Sequence, residues 1–349
     1  MNKESNIDLT VIVPFYKRDE YAKRIMQILD KEVDKLKFNV EVIFSDSNSS
    51  VTLENNLKNI SYLSNIKYRV INTKNELSTK RNFGIKNSKS DKIILIDDDC
   101  FPKDKFLENH NFTLEKNKNK KMINSGIVTF DKDLINESNF IRYKDQRHRN
   151  LDFVYNNNDK LNLHNIVAMN LSCYKSDIIE HNLWFDEDYK TYGLEDTQFA
   201  LDALKKGFAL KTSNAAIIHQ DSTSIDVFFY KIKLFTYNYF FKFYLKNSDF
   251  INDKKNLDLI IINQNNLNYS PLIKFAKIYH NHLKKNYLIL PFIFMIKNLA
   301  LFIAKILIKT LKMMDKKKNL YFYPLYKFLT IITIIHSLFS KKNIPKDFI

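Results

Sequence analysis

Three consecutive carboxylates, Asp97-Asp98-Asp99, follow the unbroken apolar run Ile93-Ile94-Leu95-Ile96. Adjacent carboxylates repel one another, and a divalent cation would cancel that repulsion. Oxygen-only ligands favour a hard ion such as Mn2+ or Mg2+, of the kind usually shared with substrate phosphates. A solvated acidic turn accounts for the same triplet. Asp46 stands just after another apolar run, where a carboxylate can accept hydrogen bonds from a base or ribose, or close a turn in Ser45-Asp46-Ser47-Asn48. Arg81 offers a planar fork suited to phosphate oxygens, and a solvated helix face suits it equally. Glu195-Asp196 can take a proton from a hydroxyl, or complement the dipole at the start of a helix. His219 ends Ala215-Ala216-Ile217-Ile218, where a neutral imidazole can ligate a cation or serve the fold. Trp184, the only Trp, suits stacking on a sugar or a place in the core.

A short all-apolar run has no solvated face, so Ile93–Ile96 predicts a strand buried on both sides of a parallel sheet. In such sheets ligands bind beyond the carboxyl ends of the strands, where the three aspartates fall. Strands are predicted at Leu9–Val13, ended by Pro14, at Val40–Phe44 and at Tyr68–Ile71. Asp19–Leu36 has helical spacing, with Tyr21, Ile25, Ile28, Leu29 and Val33 on one face, and Leu77–Asn87 is a helix carrying Lys80, Arg81 and Asn82. Further strands are predicted at Ile123–Phe130 and Phe208–His219, with a return to the sheet over Ile166–Tyr174 and a helix at Leu194–Lys206 stopped by Gly207. The alternation implies an α/β architecture with helices on both faces of the sheet. Asp131–Leu163 is polar and fits neither period, which suits a binding loop.

Charge divides the 349 residues unevenly. Met1 to Asp226 holds 34 basic and 34 acidic residues, whereas Val227 to Ile349 holds 21 basic and 5 acidic ones and contains no Arg or Glu. That asymmetry points the tail at an anionic partner. Residues 1–226 are expected to form the catalytic domain, and residues 227–349 a helical, basic, aromatic-rich region. Within Asn286–Met314 the lysines at 297, 305, 309 and 312 occupy one arc of a helix. Charge-free runs there fall short of the ~20 residues a span needs, so a helix lying in the lipid interface is expected. Phe328–Phe339 is a second apolar stretch flanked by lysines. Packing of both helices on the catalytic domain, lysines outward, is the alternative. Two cysteines make no metal pattern or disulfide framework, and no signal peptide is evident, which places the chain in the cytoplasm or on the inner face of the cell membrane.

Taken in order, Pro14 after the first strand, Asp46, Arg81-Asn82, Asp97-Asp98-Asp99, Asn170, Phe185-Asp186-Glu187, Glu195-Asp196-Thr197 and His219 resemble glycosyltransferase family 2, the inverting sugar transferases with the GT-A fold. The likeness covers about Leu9 to Ser224. It implies a Rossmann-like mixed sheet, a nucleotide-diphosphate sugar donor, with UDP favoured, and Mn2+ or Mg2+. By that resemblance Val13 and Pro14 line the base pocket, Asp46 reads the base, Arg81 faces the diphosphate and Asp97 contacts the ribose side. Asp98 belongs with the donor-binding set, and Asn170 lies near the transferred sugar. Asp99 ligates the metal with Asp97 and His219, and Asp196 is the general base beside Glu195. The implied reaction is hexosyl or N-acetylhexosaminyl transfer to a glycan or lipid-linked acceptor in bacterial capsule or lipopolysaccharide synthesis, at an anionic membrane surface. Leu194 departs from the Gly or Ser of many relatives, and neither the Gln/Arg-rich Trp motif nor the multiple spans of processive synthases occur. Two rivals are weighed. A sugar nucleotidyltransferase wants a Gly-rich phosphate loop where this chain has Pro14-Phe15-Tyr16-Lys17-Arg18. A non-catalytic binder gripping membrane or nucleic acid through the basic tail is the other; the lack of Arg and the continuous apolar helix faces argue against nucleic acid.

Overall fold

A computed structural model describes residues 6–36, 38–48, 50–58, 66–148, 166–221, 223–247, 249–250 and 290–338. The chain divides into two units, the first made of Met1–Asp131, Asp145–Thr191 and Glu195–Asp221, the second of Lys132–Lys144, Tyr192–Leu194 and Ser222–Ile349.

The first unit is built on an eight-stranded mixed sheet. Its strands are β1 (Leu9–Phe15), β2 (Val40–Asp46), β3 (Ile66–Asn72), β4 (Lys92–Ile96), β5 (Cys100–Pro102), β6 (Met122–Phe130), β7 (Asn170–Tyr174) and β8 (Ala209–His219), ordered β3-β2-β1-β4-β7-β6-β8-β5. The β3-β2-β1-β4 half is parallel, β7 runs antiparallel to both β4 and β6, and β8 pairs parallel with β6 and antiparallel with β5. The sheet is mixed, as the sequence likeness implies. β4 lies in the middle with Ile93–Ile96 buried, as its unbroken apolar run demands.

Alternate residues of β1 serve opposite faces. Leu9, Val11 and Val13 join one core cluster with Ala22, Ile25, Met26, Leu29 and Val33 of α1 (Asp19–Leu36), whose acidic residues Asp19 and Glu20 sit favourably in its first turn. Ile12 faces the other way, against α3 (Leu77–Asn87), which follows α2 (Ser50–Lys58) in the chain. A Cβ on Gly84 of α3 would lie 2.3 Å from Ile12 Cγ2, so only glycine lets the helix settle this close to the sheet. α4 (Phe106–Lys116) takes backbone N–H bonds into Glu32 of α1 at Leu107 and Glu108.

Three sequence expectations change. Pro14 lies inside β1, opposite Ser45, and the strand runs on to Phe15. The return to the sheet starts at Asn170 rather than Ile166. Within Asp131–Leu163, α5 (Lys132–Glu137) and α6 (Asn139–His148) are helices, while residues 149–163 lie outside the described residues. The start of α6 belongs to the second unit because Asp315 accepts hydrogen bonds from Ser138 Oγ and the Phe140 N–H, and Asn139 donates to the Met314 and Lys317 carbonyls. Among the described residues the further α-helices, in chain order, are α7 (Lys175–Glu180), α8 (Glu195–Lys205), α9 (Ile225–Phe235), α10 (Phe241–Lys246), α11 (Leu290–Met314) and α12 (Tyr323–Leu338), with a π turn at Thr236–Phe240 and a 3-10 turn at Lys318–Leu320. The core of the second unit joins Phe140, Tyr143, Phe228, Phe229, Ala304, Leu311, Tyr326 and Leu329, with Tyr143 stacked on Tyr326 at 4.7 Å between centroids.

Candidate active site

All three aspartates lie in the turn between β4 and β5, with the Cys100 N–H donating to the Asp97 carbonyl. Asp97 goes to one arginine, and Asp98 and Asp99 share another. Asp97 Oδ1 is 3.1 Å from Arg81 Nη2. Asp98 accepts from the Tyr16 N–H at 3.1 Å and from Arg18 Nη1 at 2.6 Å. Asp99 Oδ2 meets the same Arg18 nitrogen at 2.7 Å, while its Oδ1 lies 3.4 Å from His219 Nε2. His219 reaches the turn because β8 pairs it opposite Cys100.

Arg81 ties this turn to the second acidic pair. Its Nη1 is 2.9 Å from Asp196 Oδ1 and 3.6 Å from Glu195 Oε1, at the start of α8. The Asp196 Oδ2 accepts the Ala168 N–H at 3.1 Å. Carboxylates a hundred positions apart in the chain therefore share one guanidinium. Burial works against charge on Arg81, but Asp196, Asp97 and Glu195 hold it protonated. Burial raises the Asp196 carboxyl, with Arg81 opposing the rise. Burial pushes Asp98 up to about 6 against the pull of Arg18. Asp99 feels the same burial, yet the His219 hydrogen bond and charge together with Arg18 bring it down to about 2.

Two side chains sit elsewhere than the sequence likeness suggested. Arg81 is 1% exposed and spent on carboxylates, so in this geometry it links the two acid groups rather than facing a diphosphate. Asn170 is fully buried, and its amide is consumed: Nδ2 donates to the Ile127 and Ala215 carbonyls, and Oδ1 lies 2.8 Å from His110 Nε2. It bridges the irregularity in β6 beside Gly126, whose missing Cβ leaves room for that amide, and it touches no open space where a sugar would lie. Because both Asn170 amide protons go to carbonyls, its oxygen must accept from His110 Nε2–H, which leaves Nδ1 to accept from Ser172 at 2.9 Å. Burial holds this imidazole neutral, down to about 4.

Asp46 closes a turn by accepting the Asn48 N–H and lines a cleft of about 470 Å3 with Phe15, Lys17, Arg18, Tyr21, Asn48 and others at the carboxyl ends of β1 and β2. Pro14 is buried next to that cleft, and Phe15 forms its wall. Lys80 passes beneath, donating to the Phe15 carbonyl and Asn75 Oδ1; burial lowers it to about 8 against the charges of Asp98 and Asp46. Phe185-Asp186-Glu187 is pinned to α3, since Asn82 exchanges hydrogen bonds with the Phe185 backbone and donates to Glu187 Oε1, while Thr79 donates to Oε2. Trp184 carries the Lys86 ammonium over its ring at 5.0 Å. Arg18 and Lys80 are named in the sequence analysis but are given no site role there. The rule that placed Asp97–Asp99, ligands beyond the carboxyl ends of parallel strands, applies equally to the turn after β1 and would have found Arg18.

Of the expected metal ligands, Asp99 and His219 come together. Their ligand atoms and Cys100 Sγ all lie within 4.8 Å of one another, whereas Asp97 is held by Arg81. Burial raises the Cys100 thiol well above its usual range, so it is a neutral neighbour. His219 Nδ1 is buried without a hydrogen-bond partner. A carboxylate and an imidazole are ligand types that a divalent cation accepts.

Residues 10–178 match the family model described as Glycosyl transferase family 2. A chondroitin synthase from Escherichia coli is 24% identical over 240 residues, which is 61% of this chain and 34% of that protein. Among solved structures, S. aureus TarS 1-349 is similar with a TM-score of 0.43 at 14% identity, covering 96% of this chain and 90% of that one. The catalytic domain of Drosophila beta1,4galactosyltransferase 7, solved with xylobiose, is similar with a TM-score of 0.37 at 12% identity, over 62% of this chain and 71% of that one. The family match ends before α8, so Glu195, Asp196 and His219 enter the site on geometry. The family match thus covers residues 10–178, from β1 to β7, and the same sheet gathers Asp97, Asp196 and Arg81 at one site.

Proposed function

We propose that this chain transfers a hexosyl or N-acetylhexosaminyl group from a nucleoside-diphosphate donor, UDP-linked by preference, to a hydroxyl of a glycan or lipid-linked acceptor, with inversion at the anomeric carbon. The observation that carries the reading is the Arg81 bridge, which brings Asp97 and Asp196 to one site from opposite ends of the family signature. Displacement of a nucleoside diphosphate builds charge on the departing phosphate. When bound at Asp99 and His219, Mn2+ or Mg2+ would stabilise that charge. Asp196 faces the other requirement, a proton acceptor for the attacking hydroxyl. Its raised affinity for a proton, caused by burial, suits a base better than an exposed aspartate would. Asp46 and Phe15 line the cleft suited to the nucleoside.

The second unit supports a membrane-surface setting. α11 turns Met295, Leu299, Phe302, Ile306 and Met313 outward on one arc, with Lys305, Lys309 and Lys312 exposed beside them. An apolar strip bordered by lysines suits the anionic inner face of a cell membrane, each lysine near the surface adding about 1 kcal/mol. Among the described residues no helix is long and apolar enough to cross a membrane. This setting fits a lipid-linked acceptor and the assembly of a capsule or lipopolysaccharide. The chain spans 34% of the chondroitin synthase it matches, and the acceptor is proposed independently of that protein. The deciding experiment is a nucleotide-sugar panel with Mn2+, scored as nucleotide release without acceptor. One donor should be cleaved well above the rest; no cleavage of any donor, with or without candidate glycans, would contradict the reading.

A further inference from the structure

Arg18 stands where two functions meet. Its Nη1 bridges Asp98 Oδ1 and Asp99 Oδ2 at 2.6 and 2.7 Å, its side chain is 44% exposed, and it lines the cleft that also holds Asp46 and Phe15. It differs in this from Arg81, which is sealed among carboxylates, and from Lys80, whose ammonium is occupied by the Phe15 carbonyl and Asn75. Asp98 fastens the turn after β1 from both oxygens, through the Tyr16 N–H and through Arg18. Asp99 divides itself between Arg18 on Oδ2 and His219 on Oδ1.

We propose that Arg18 is a positioning residue for the donor diphosphate whose release is governed by the divalent cation. A cation held by Asp99 and His219 would put a second positive group on the carboxylate that already carries the guanidinium, and the two repel at short range. Uptake of the cation therefore loosens Arg18 from Asp99. The freed guanidinium lies at the rim of the nucleotide cleft, where phosphate oxygens accept its planar fork. The carboxylates keep Arg18 off other anions until the cation arrives, so cation and nucleotide bind with positive coupling. This inference rests on the reading of Asp99 and His219 as cation ligands.

Calorimetric titration of the full chain with Mn2+ alone, UDP alone and UDP in saturating Mn2+ tests it. Arg18→Met should bind Mn2+ alone about ten-fold more tightly than the wild type, and the gain in UDP affinity that Mn2+ confers should shrink about ten-fold. Arg18→Gln, which keeps a polar head in the turn, should move both constants in the same direction and guards against loss of fold. Asp99→Asn serves as the control for the cation site and should abolish Mn2+ binding. If Asp99→Asn removes Mn2+ binding while both Arg18 variants bind Mn2+ no better than wild type, the competition is overturned and the cation site stands. If Asp99→Asn binds Mn2+ as the wild type does, the cation site itself fails and the inference falls with it.

Discussion

Replacing Arg81 with Met removes the cation that three carboxylates share. The guanidinium is 2.9 Å from Asp196, 3.1 Å from Asp97 and 3.6 Å from Glu195, and it lies over the Phe185 ring. Methionine keeps the length and the contact with the ring but leaves the acids facing one another. Removing one partner of a buried ion pair costs about 3–5 kcal/mol. The Asp97 and Asp196 side chains retain 23% and 20% exposure, so water recovers part of that loss and the lower end applies, about 3 kcal/mol. For a unit of this size that is a fall in Tm of roughly 6–12 °C. The sharper signature is non-additivity. Arg81→Met and Asp196→Asn should each destabilise, but the double variant should cost less than the sum by about 1–3 kcal/mol, because the second change removes a charge the first left unpaired. Urea unfolding of the four proteins, followed by the fluorescence of the single Trp184 in the sheet unit, measures the cycle. Additivity to within about 0.5 kcal/mol would refute the claim that Arg81 couples the two acid groups.

Asp196→Asn should leave UDP binding nearly intact and lower donor turnover by ~10²–10⁴ fold, whereas wild-type turnover would remove Asp196 from the role of base. The neutral His110 predicts an acid-sensitive sheet: between pH 6.5 and about 4 the unfolded chain takes up a proton that the folded one refuses, so stability falls as pH drops through this window. The loss amounts to about 3 kcal/mol and should flatten in His110→Gln; a parallel decline in both proteins would contradict it. Gly84→Ala places a methyl 2.3 Å from Ile12 Cγ2 and should cost about 1–3 kcal/mol while shifting Arg81, so an unchanged Tm would show that α3 has more room than its packing implies.

How much of this was legible in the sequence varies with the physics of each element. β4 announced itself because a strand buried on both faces needs an unbroken apolar run, and its aspartates then had to fall at the ligand edge. α1 was legible from its apolar period. α3 lies where the sequence places it, but it buries Ser78, Lys80, Arg81 and Asn82, polar groups whose burial only their distant partners explain. Asn170 carries the same lesson, since an asparagine on a strand gives no sign that His110 and two carbonyls will absorb it. Residues 138–140 could not be assigned locally because what fixes them, Asp315 and the turn around it, lies far along the chain. Arg18 follows the carboxyl end of β1, but the carboxylates that hold it, Asp98 and Asp99, lie far along the chain.

We propose that the turn after β4 and the start of α8 form opposite sides of one reaction centre. A crystal grown with Mn2+ and UDP, measured at the manganese absorption edge, tests it most directly. The expected result is an anomalous peak within coordination distance of Asp99 and His219, UDP in the cleft beside Asp46 and Phe15, and the Asp196 carboxylate across from its terminal phosphate. A peak at another site, or a nucleotide bound away from these carboxylates, would contradict it.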